Sequence, residues 1–125
     1  MAKSIREMME RIRAGDILAT IHLMDIEDPD IDELCHYLGD HDETVNGYAV
    51  LMLCKARPPD LLNRLTKMLS SPNEILRSKA IDALGKLKES SAIPFIESML
   101  NDESNRVRMA AEIALRKLKT GTTGT

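Results

Sequence analysis

Aromatic residues are almost missing from this sequence. Its 125 residues include no Trp, two Tyr and one Phe, although 43% of the residues are hydrophobic. The core must therefore be aliphatic, built from Leu, Ile, Ala and the eight Met residues. Reading single-stranded nucleic acid needs aromatic side chains on which bases stack, and a flat ring-shaped cofactor needs similar surfaces. The composition therefore argues against both kinds of ligand.

Long apolar runs and a secretory leader are missing as well. No stretch approaches the roughly 18 consecutive apolar residues of a membrane span, and residues 1–4 lead directly into an amphipathic pattern. The chain has two cysteines, Cys35 and Cys54, and both lie within helical patterns. In a chain without a secretory signal, two such cysteines are expected to be reduced core residues. We therefore expect a soluble cytoplasmic protein that binds no membrane.

Motifs for catalysis or metal binding are lacking too. The sequence contains no Gly-rich phosphate loop, nucleophile elbow or Ser/His/Asp arrangement. Cys35, His36 and His41 are close in sequence, but no pair has the i, i+4 spacing of helical metal ligands. The acidic stretch from Asp28 resembles the opening of a calcium loop, but Glu33 stands where that loop requires Gly. We therefore expect a protein that is not an enzyme and holds no metal or cofactor.

What the sequence does contain is a repeat of 31 residues. Apolar spacing near 3.6 residues, without strand-like alternation, indicates that each repeat is helical. Such a unit buries its apolar face only by stacking on the next one. A column of alanines marks the places where neighbouring helices approach most closely. The recurring columns are Leu38, Leu69 and Leu100; Val45, Leu76 and Val107; Ala49, Ala80 and Ala111; and Leu53, Leu84 and Leu115.

Helix start and stop signals divide the chain into four helix pairs, at about 4–26, 31–56, 59–88 and 91–119. We expect these pairs to form one domain over residues 1–119, and the small polar tail, 120–125, to be disordered. The first pair matches the repeat least well. The apolar pattern of its second helix comprises Ile17, Leu18, Ile21, Leu23 and Met24.

Two segments resemble a known family: residues 71–87 (SPNEILRSKAIDALGKL) and 101–118 (NDESNRVRMAAEIALRKL), with 92–96 (AIPFI) between them. They resemble HEAT repeats of the short type found in phycobilin lyase-like proteins. The resemblance implies an all-α, right-handed α-solenoid of about four antiparallel helix pairs, with the second helices lining a short concave surface. It implies a binding scaffold or, as an alternative, an accessory subunit of an enzyme that handles a cofactor or chromophore.

The same resemblance gives one arginine in each repeat a structural role. In such repeats this arginine, here Arg77 and Arg108, braces the stack by bonding an acidic or amide group near the turn. Asn73 and Asp102 are the partners that we expect. The preceding repeat has Asn46 at this position, which suggests a looser contact or a turn adapted to another use.

Charge is distributed unevenly along the chain. Residues 1–60 contain 6 Lys and Arg against 13 Asp and Glu, whereas residues 61–125 contain 11 against 7. The repeat also aligns Lys55, Lys86 and Lys117 near the ends of the second helices, so that stacking would place them along one edge. Cations at helix C-termini also offset the helix dipole, and this second interpretation stays open.

We therefore predict a non-catalytic protein–protein interaction or scaffold module that uses its concave face. The predicted partner is another protein. Weak nucleic acid binding through the basic half is an alternative, which the shortage of aromatic residues disfavours, and self-association through the solenoid ends is another. The predicted contact residues are Lys55, Asp82, Lys86, Lys88, Arg116 and Lys117.

Overall fold

The computed structural model describes the backbone of residues 4–123 and the side chains of residues 4–120. The described residues form eight α-helices in four consecutive pairs, and no strand occurs among them. The chain is thus an all-α solenoid, and none of its described helices is long and apolar enough to cross a membrane. The pairs are α1 (Ile5–Arg13) with α2 (Leu18–Met24), α3 (Ile31–Leu38) with α4 (Glu43–Ala56), α5 (Leu61–Met68) with α6 (Glu74–Leu87), and α7 (Ile93–Ser98) with α8 (Asn105–Thr123).

The last helix is longer than the sequence pattern predicts. Helix α8 continues through Thr123, so residues 120–123 of the predicted tail are helical in the structure. Residues 124–125 lie outside the described part of the chain. The Thr120 hydroxyl donates a 2.7 Å hydrogen bond to the Arg116 carbonyl. A threonine can make this bond to the preceding turn without leaving the helix, so the polar composition of the tail does not stop α8 at residue 119.

The turn inside each of the last three pairs is built in the same way. A side-chain oxygen accepts a hydrogen bond from the backbone N–H two residues later, at 2.8 Å from Asp40, 3.0 Å from Ser71 and 2.9 Å from Asp102. The carbonyl of the same residue accepts a bond from a side chain six residues later, so both groups of the turn are satisfied. These donors are Asn46 Nδ2 at 2.9 Å, Arg77 Nη1 at 2.8 Å and Arg108 Nη1 at 2.7 Å.

One arginine also bonds between repeats. Arg77 donates to both carboxylate oxygens of Asp102 in the next pair, at 3.2 and 3.0 Å. The expected role of Asn73 as an arginine partner is wrong, because its side-chain oxygen caps α6 and its Nδ2 donates to the Gly39 carbonyl at 3.1 Å. Asn46 Nδ2 donates to the Asp40 carbonyl and, at 3.3 Å, to Glu43 Oε2, so both of its bonds stay within its own helix pair. Its buried Oδ1 has no hydrogen-bond partner among the described residues.

The core follows the apolar columns, except that Leu76 is only half-buried and that the terminal pairs depart from the pattern. All three column alanines, at positions 49, 80 and 111, are fully buried. Leu100 is exposed because residues Met99–Asn101 form a 3₁₀ turn, which changes the helical register and buries Met99 instead. In the first pair, α2 buries only Ala19 and Leu23. Three apolar side chains of this pair lie largely in solvent: Leu18 and Ile21 on α2, and Ile17 directly before it.

Candidate interaction surface

The second helices α4, α6 and α8 form one continuous inner surface. Glu43 on α4 contacts Lys79 Nζ on α6 at 3.5 Å and Arg106 Nη1 on α8 at 3.2 Å. One carboxylate therefore spans three successive second helices, whose N-terminal ends lie close together. Solenoid proteins commonly bind their partners on such a surface, so the inner surface is the first place to examine for a binding site.

A groove with a basic rim lies near the C-terminal ends of α6 and α8. It has a volume of about 420 Å³ and is lined by Gly85, Lys86, Lys88, Lys117 and Thr120. A Cβ atom added at Gly85 would lie 3.2 Å from the Ala114 Cβ, so the two helices are close together beneath the groove. Lys88 ends α6 in the left-handed conformation, with φ of 55°, and this turn places it on the rim.

No carboxylate among the described residues lies within ion-pairing distance of the three lysines of this groove. Among the described residues, carboxylates lie within ion-pairing distance of Arg13, Arg64 and Arg77, for example. No such partner, and no other hydrogen-bond acceptor, is found for Lys86, Lys88 or Lys117 within the described part of the chain. Three ammonium groups around one concavity produce a positive potential there.

Asp82 lies beside the basic groove rather than in it. Its side chain is about one-third exposed and contacts Lys79 Nζ at 3.5 Å. Burial raises the pKa of Asp82, and the nearby charges of Lys79, Lys117 and Lys86 act in the opposite direction. Asp82 lines an adjoining groove of about 400 Å³ between α6 and α8, so the predicted contact residue does belong to the inner surface.

The structure separates Lys55 from the other two members of its column. Lys55 Nζ donates a hydrogen bond to the Met24 carbonyl and lines a different cavity, of about 540 Å³, together with the acidic segment 25–28. Helix α2 ends at Met24, and a helix C-terminus leaves carbonyls that attract a cation. Lys55 therefore holds the first pair to the second, while Arg116 is exposed next to Lys117 on α8.

Sequence reasoning missed an apolar component of the inner surface. Leu51 on α4 and Met109 and Ile113 on α8 are exposed, although apolar residues at helical spacing were expected to be core. The signal was present in the repeat, because Leu51, Asp82 and Ile113 occupy one phase of it. A charged residue in the middle of a column marks that column as facing away from the core.

Neither cysteine has the environment of an activated nucleophile. Burial raises the pKa of Cys35 and of Cys54, and the Cys54 thiol donates a 3.8 Å hydrogen bond to the Ala83 carbonyl. A raised pKa keeps the thiol protonated at neutral pH, and the thiol is a poor nucleophile. Both side chains act as packing groups between helices.

Comparison with protein families gives a match to HEAT repeats over residues 31–116. The matched range contains α3–α7 and most of α8, and with them most of the inner surface. The match is to HEAT repeats in general and does not single out the phycobilin lyase-like type. A comparison with curated protein sequences gives no significant match.

Proposed function

We propose that this chain, which belongs to the HEAT-repeat family, is a non-catalytic interaction module that binds an acidic segment of another protein. The binding surface is the inner face of α4, α6 and α8. The basic groove receives carboxylate side chains of the partner, and the exposed apolar residues beside it receive its apolar side chains.

The observation that carries this proposal is the convergence of Lys86, Lys88 and Lys117 around one groove, with no carboxylate of the described residues within ion-pairing distance of them. Lysines are strongly hydrated, so exposed cations cost little by themselves. Because the three lysines lie around one groove, a single acidic segment can form charge-assisted hydrogen bonds with several of them. Charge complementarity of this kind raises association rates and excludes wrongly charged partners.

The apolar residues of the same surface support a protein partner. Met109 and Ile113 line the groove that adjoins the basic one, and buried apolar contacts supply most of the affinity at protein interfaces. A nucleic acid would also be attracted by the lysines, but Glu43 and Asp82 lie on the same face. These carboxylates would repel a phosphate backbone, whereas a peptide can place neutral or basic side chains beside them.

The proposal is tested by reversing the charge of the groove. The Lys86→Glu/Lys117→Glu variant is compared with Arg6→Glu/Lys67→Glu, which changes the net charge equally at exposed positions on the first helices of two pairs. A tagged wild-type chain is used to isolate partners from its host's lysate, and each purified partner is titrated calorimetrically against all three proteins. We expect the groove variant to weaken binding at least ~tenfold, or ~1.4 kcal/mol.

The control variant should bind like the wild type. Equal affinity of the wild type and the groove variant would contradict the proposal, and so would equal losses in the two variants, which would indicate a response to net charge alone. Circular dichroism of each variant checks that its helices are intact.

A further inference from the structure

Most of the exposed large apolar side chains of the described residues lie on or next to the second helices of the two terminal pairs. Ile17, Leu18 and Ile21 on or next to α2 are 79%, 63% and 56% exposed, and Met109 and Ile113 on α8 are 54% and 45% exposed. Terminal repeats of a solenoid usually carry a polar outer face, because no further repeat covers them. Both ends of this stack depart from that rule.

The repeat register shows why Met109 is uncovered. The residue at the same phase on α6 is Ser78, which is only 2% exposed and lines its groove together with residues of α8. Likewise Gly85 packs against Ala114 of the next pair, whereas Arg116, at its phase on α8, is exposed. Helix α8 therefore presents the side that a further helix pair would cover.

The same comparison of repeat positions explains why Leu18, at the α2 end of the stack, is exposed. Leu18 on α2 has the phase of Tyr48, Lys79 and Ala110 on the later second helices. These later residues are half-buried or buried, and each has a preceding helix pair beside it. Leu18 is exposed because no helix pair among the described residues precedes its own.

The two ends also carry opposite charges. The exposed residues Asp25, Glu27 and Asp28 follow α2 directly, and Arg116 and Lys117 are exposed near the C-terminal end of α8. Two copies can be arranged so that α8 of one copy packs against α2 of the other in the same way that α6 packs against α8 within one chain. The repeat register then places the apolar groups of the two ends together and the basic end of α8 next to the acidic end of α2.

We propose that copies of this chain associate head to tail, with α8 of one copy packing against α2 of the next. Met109 of one copy would cover Leu18 of the other, and the charges would fix the orientation. Opposite charges select this arrangement over end-to-end contacts between identical ends, which would bring like charges together. The contact joins two different surfaces, so it can add further copies as well as form a dimer.

The test uses one blocked variant for each end. Leu18→Glu blocks the α2 end and Met109→Glu blocks the α8 end. Phe95→Glu is a matched control on α7, where Phe95 is 50% exposed. Sedimentation velocity over a range of concentrations measures association, and circular dichroism checks folding. All three positions are exposed, so we expect the variants to fold.

We expect the wild type and the control to associate with rising concentration, less strongly at high salt, and each blocked variant to dissociate at least ~tenfold more readily. An equimolar mixture of the two blocked variants has one intact pair of ends and should form a dimer that does not grow. A wild type that stays monomeric at every concentration would overturn the proposal and leave the ends to another protein. So would a mixture that stays monomeric, or association that neither variant weakens. None of these results depends on whether the basic groove binds an acidic partner.

Discussion

The buried guanidinium of Arg77 offers the sharpest test of what holds neighbouring repeats together. Arg77 is 7% exposed and donates two hydrogen bonds to Asp102 and one to the Ser71 carbonyl. The Asp102 side chain is itself only 12% exposed. Replacing Arg77 with Ala leaves a buried carboxylate whose charge-assisted partner is gone, and a turn carbonyl without its donor.

The size of the effect follows from these contacts. Removing one partner of a buried ion pair typically costs about 3–5 kcal/mol, and an unsatisfied carbonyl adds about 1–3 kcal/mol. Water entering the space left by the side chain offsets part of this cost. We therefore expect Arg77→Ala to lower the free energy of unfolding by about 3–5 kcal/mol, a large share of the roughly 5–15 kcal/mol of a typical domain.

Chemical denaturation with circular dichroism measures this loss, and Arg108→Ala is the matched control. Arg108 has the same phase in the next repeat, but its side chain bonds the Asp102 carbonyl and the Asn105 amide oxygen rather than a carboxylate. Its replacement should cost only about 1 kcal/mol. If Arg77→Ala does not fold, Arg77→Lys keeps the charge while losing the paired hydrogen bonds, and remains measurable.

A double-mutant cycle with Asp102→Ala isolates the interaction itself. The double variant Arg77→Ala/Asp102→Ala has no unpaired buried charge, so it should be less destabilised than the sum of the two single variants. Additive losses, or an Arg77→Ala variant no less stable than Arg108→Ala, would refute the argument that this ion pair joins the last two repeats.

Two further predictions concern packing and pH. Ala80 is fully buried in the middle of α6, and Ala80→Leu should cost about 1–3 kcal/mol by overpacking; a neutral result in thermal unfolding would contradict the close approach of the helices. Burial raises the pKa of Asp102, but hydrogen bonds from the Ser104 N–H and Arg77 outweigh it and lower the pKa below its ordinary value. The folded state then binds fewer protons than the unfolded state, so stability should fall as the pH drops below about 4. In the Asp102→Asn variant, the stability measured by chemical denaturation should fall less over the same pH range. An equal fall would show that Asp102 does not cause the acid sensitivity.

The sequence predicted the helical architecture well because the repeat is a local property. Period, helix pairing and the buried alanine column all follow from apolar residues at constant spacing, such as Ala49 and Ala80. The same information gave the wrong end for α8, since Thr120 is polar but still bonds the preceding turn. It also misplaced Leu100, because a 3₁₀ turn changes the register without changing the composition.

The candidate site was predictable only in part. The column of Lys55, Lys86 and Lys117 is visible in the sequence, but one member is engaged elsewhere, because α2 ends where its carbonyls can accept from Lys55. Which cations lack partners depends on carboxylates that are distant in sequence, as with Glu43 and Arg106. The spacing of residues within a repeat does not predict such ion pairs.

By itself, then, the sequence determined the helices, their pairing and the core of the internal repeats, because backbone geometry converts residue spacing directly into faces. Only the tertiary structure decided which repeat faces stay uncovered, which charges stay unpaired, and how Asp102 rather than Asn73 came to hold the buried arginine. These features depend on neighbours in the stack, and a residue's position within one repeat does not reveal whether another repeat covers it.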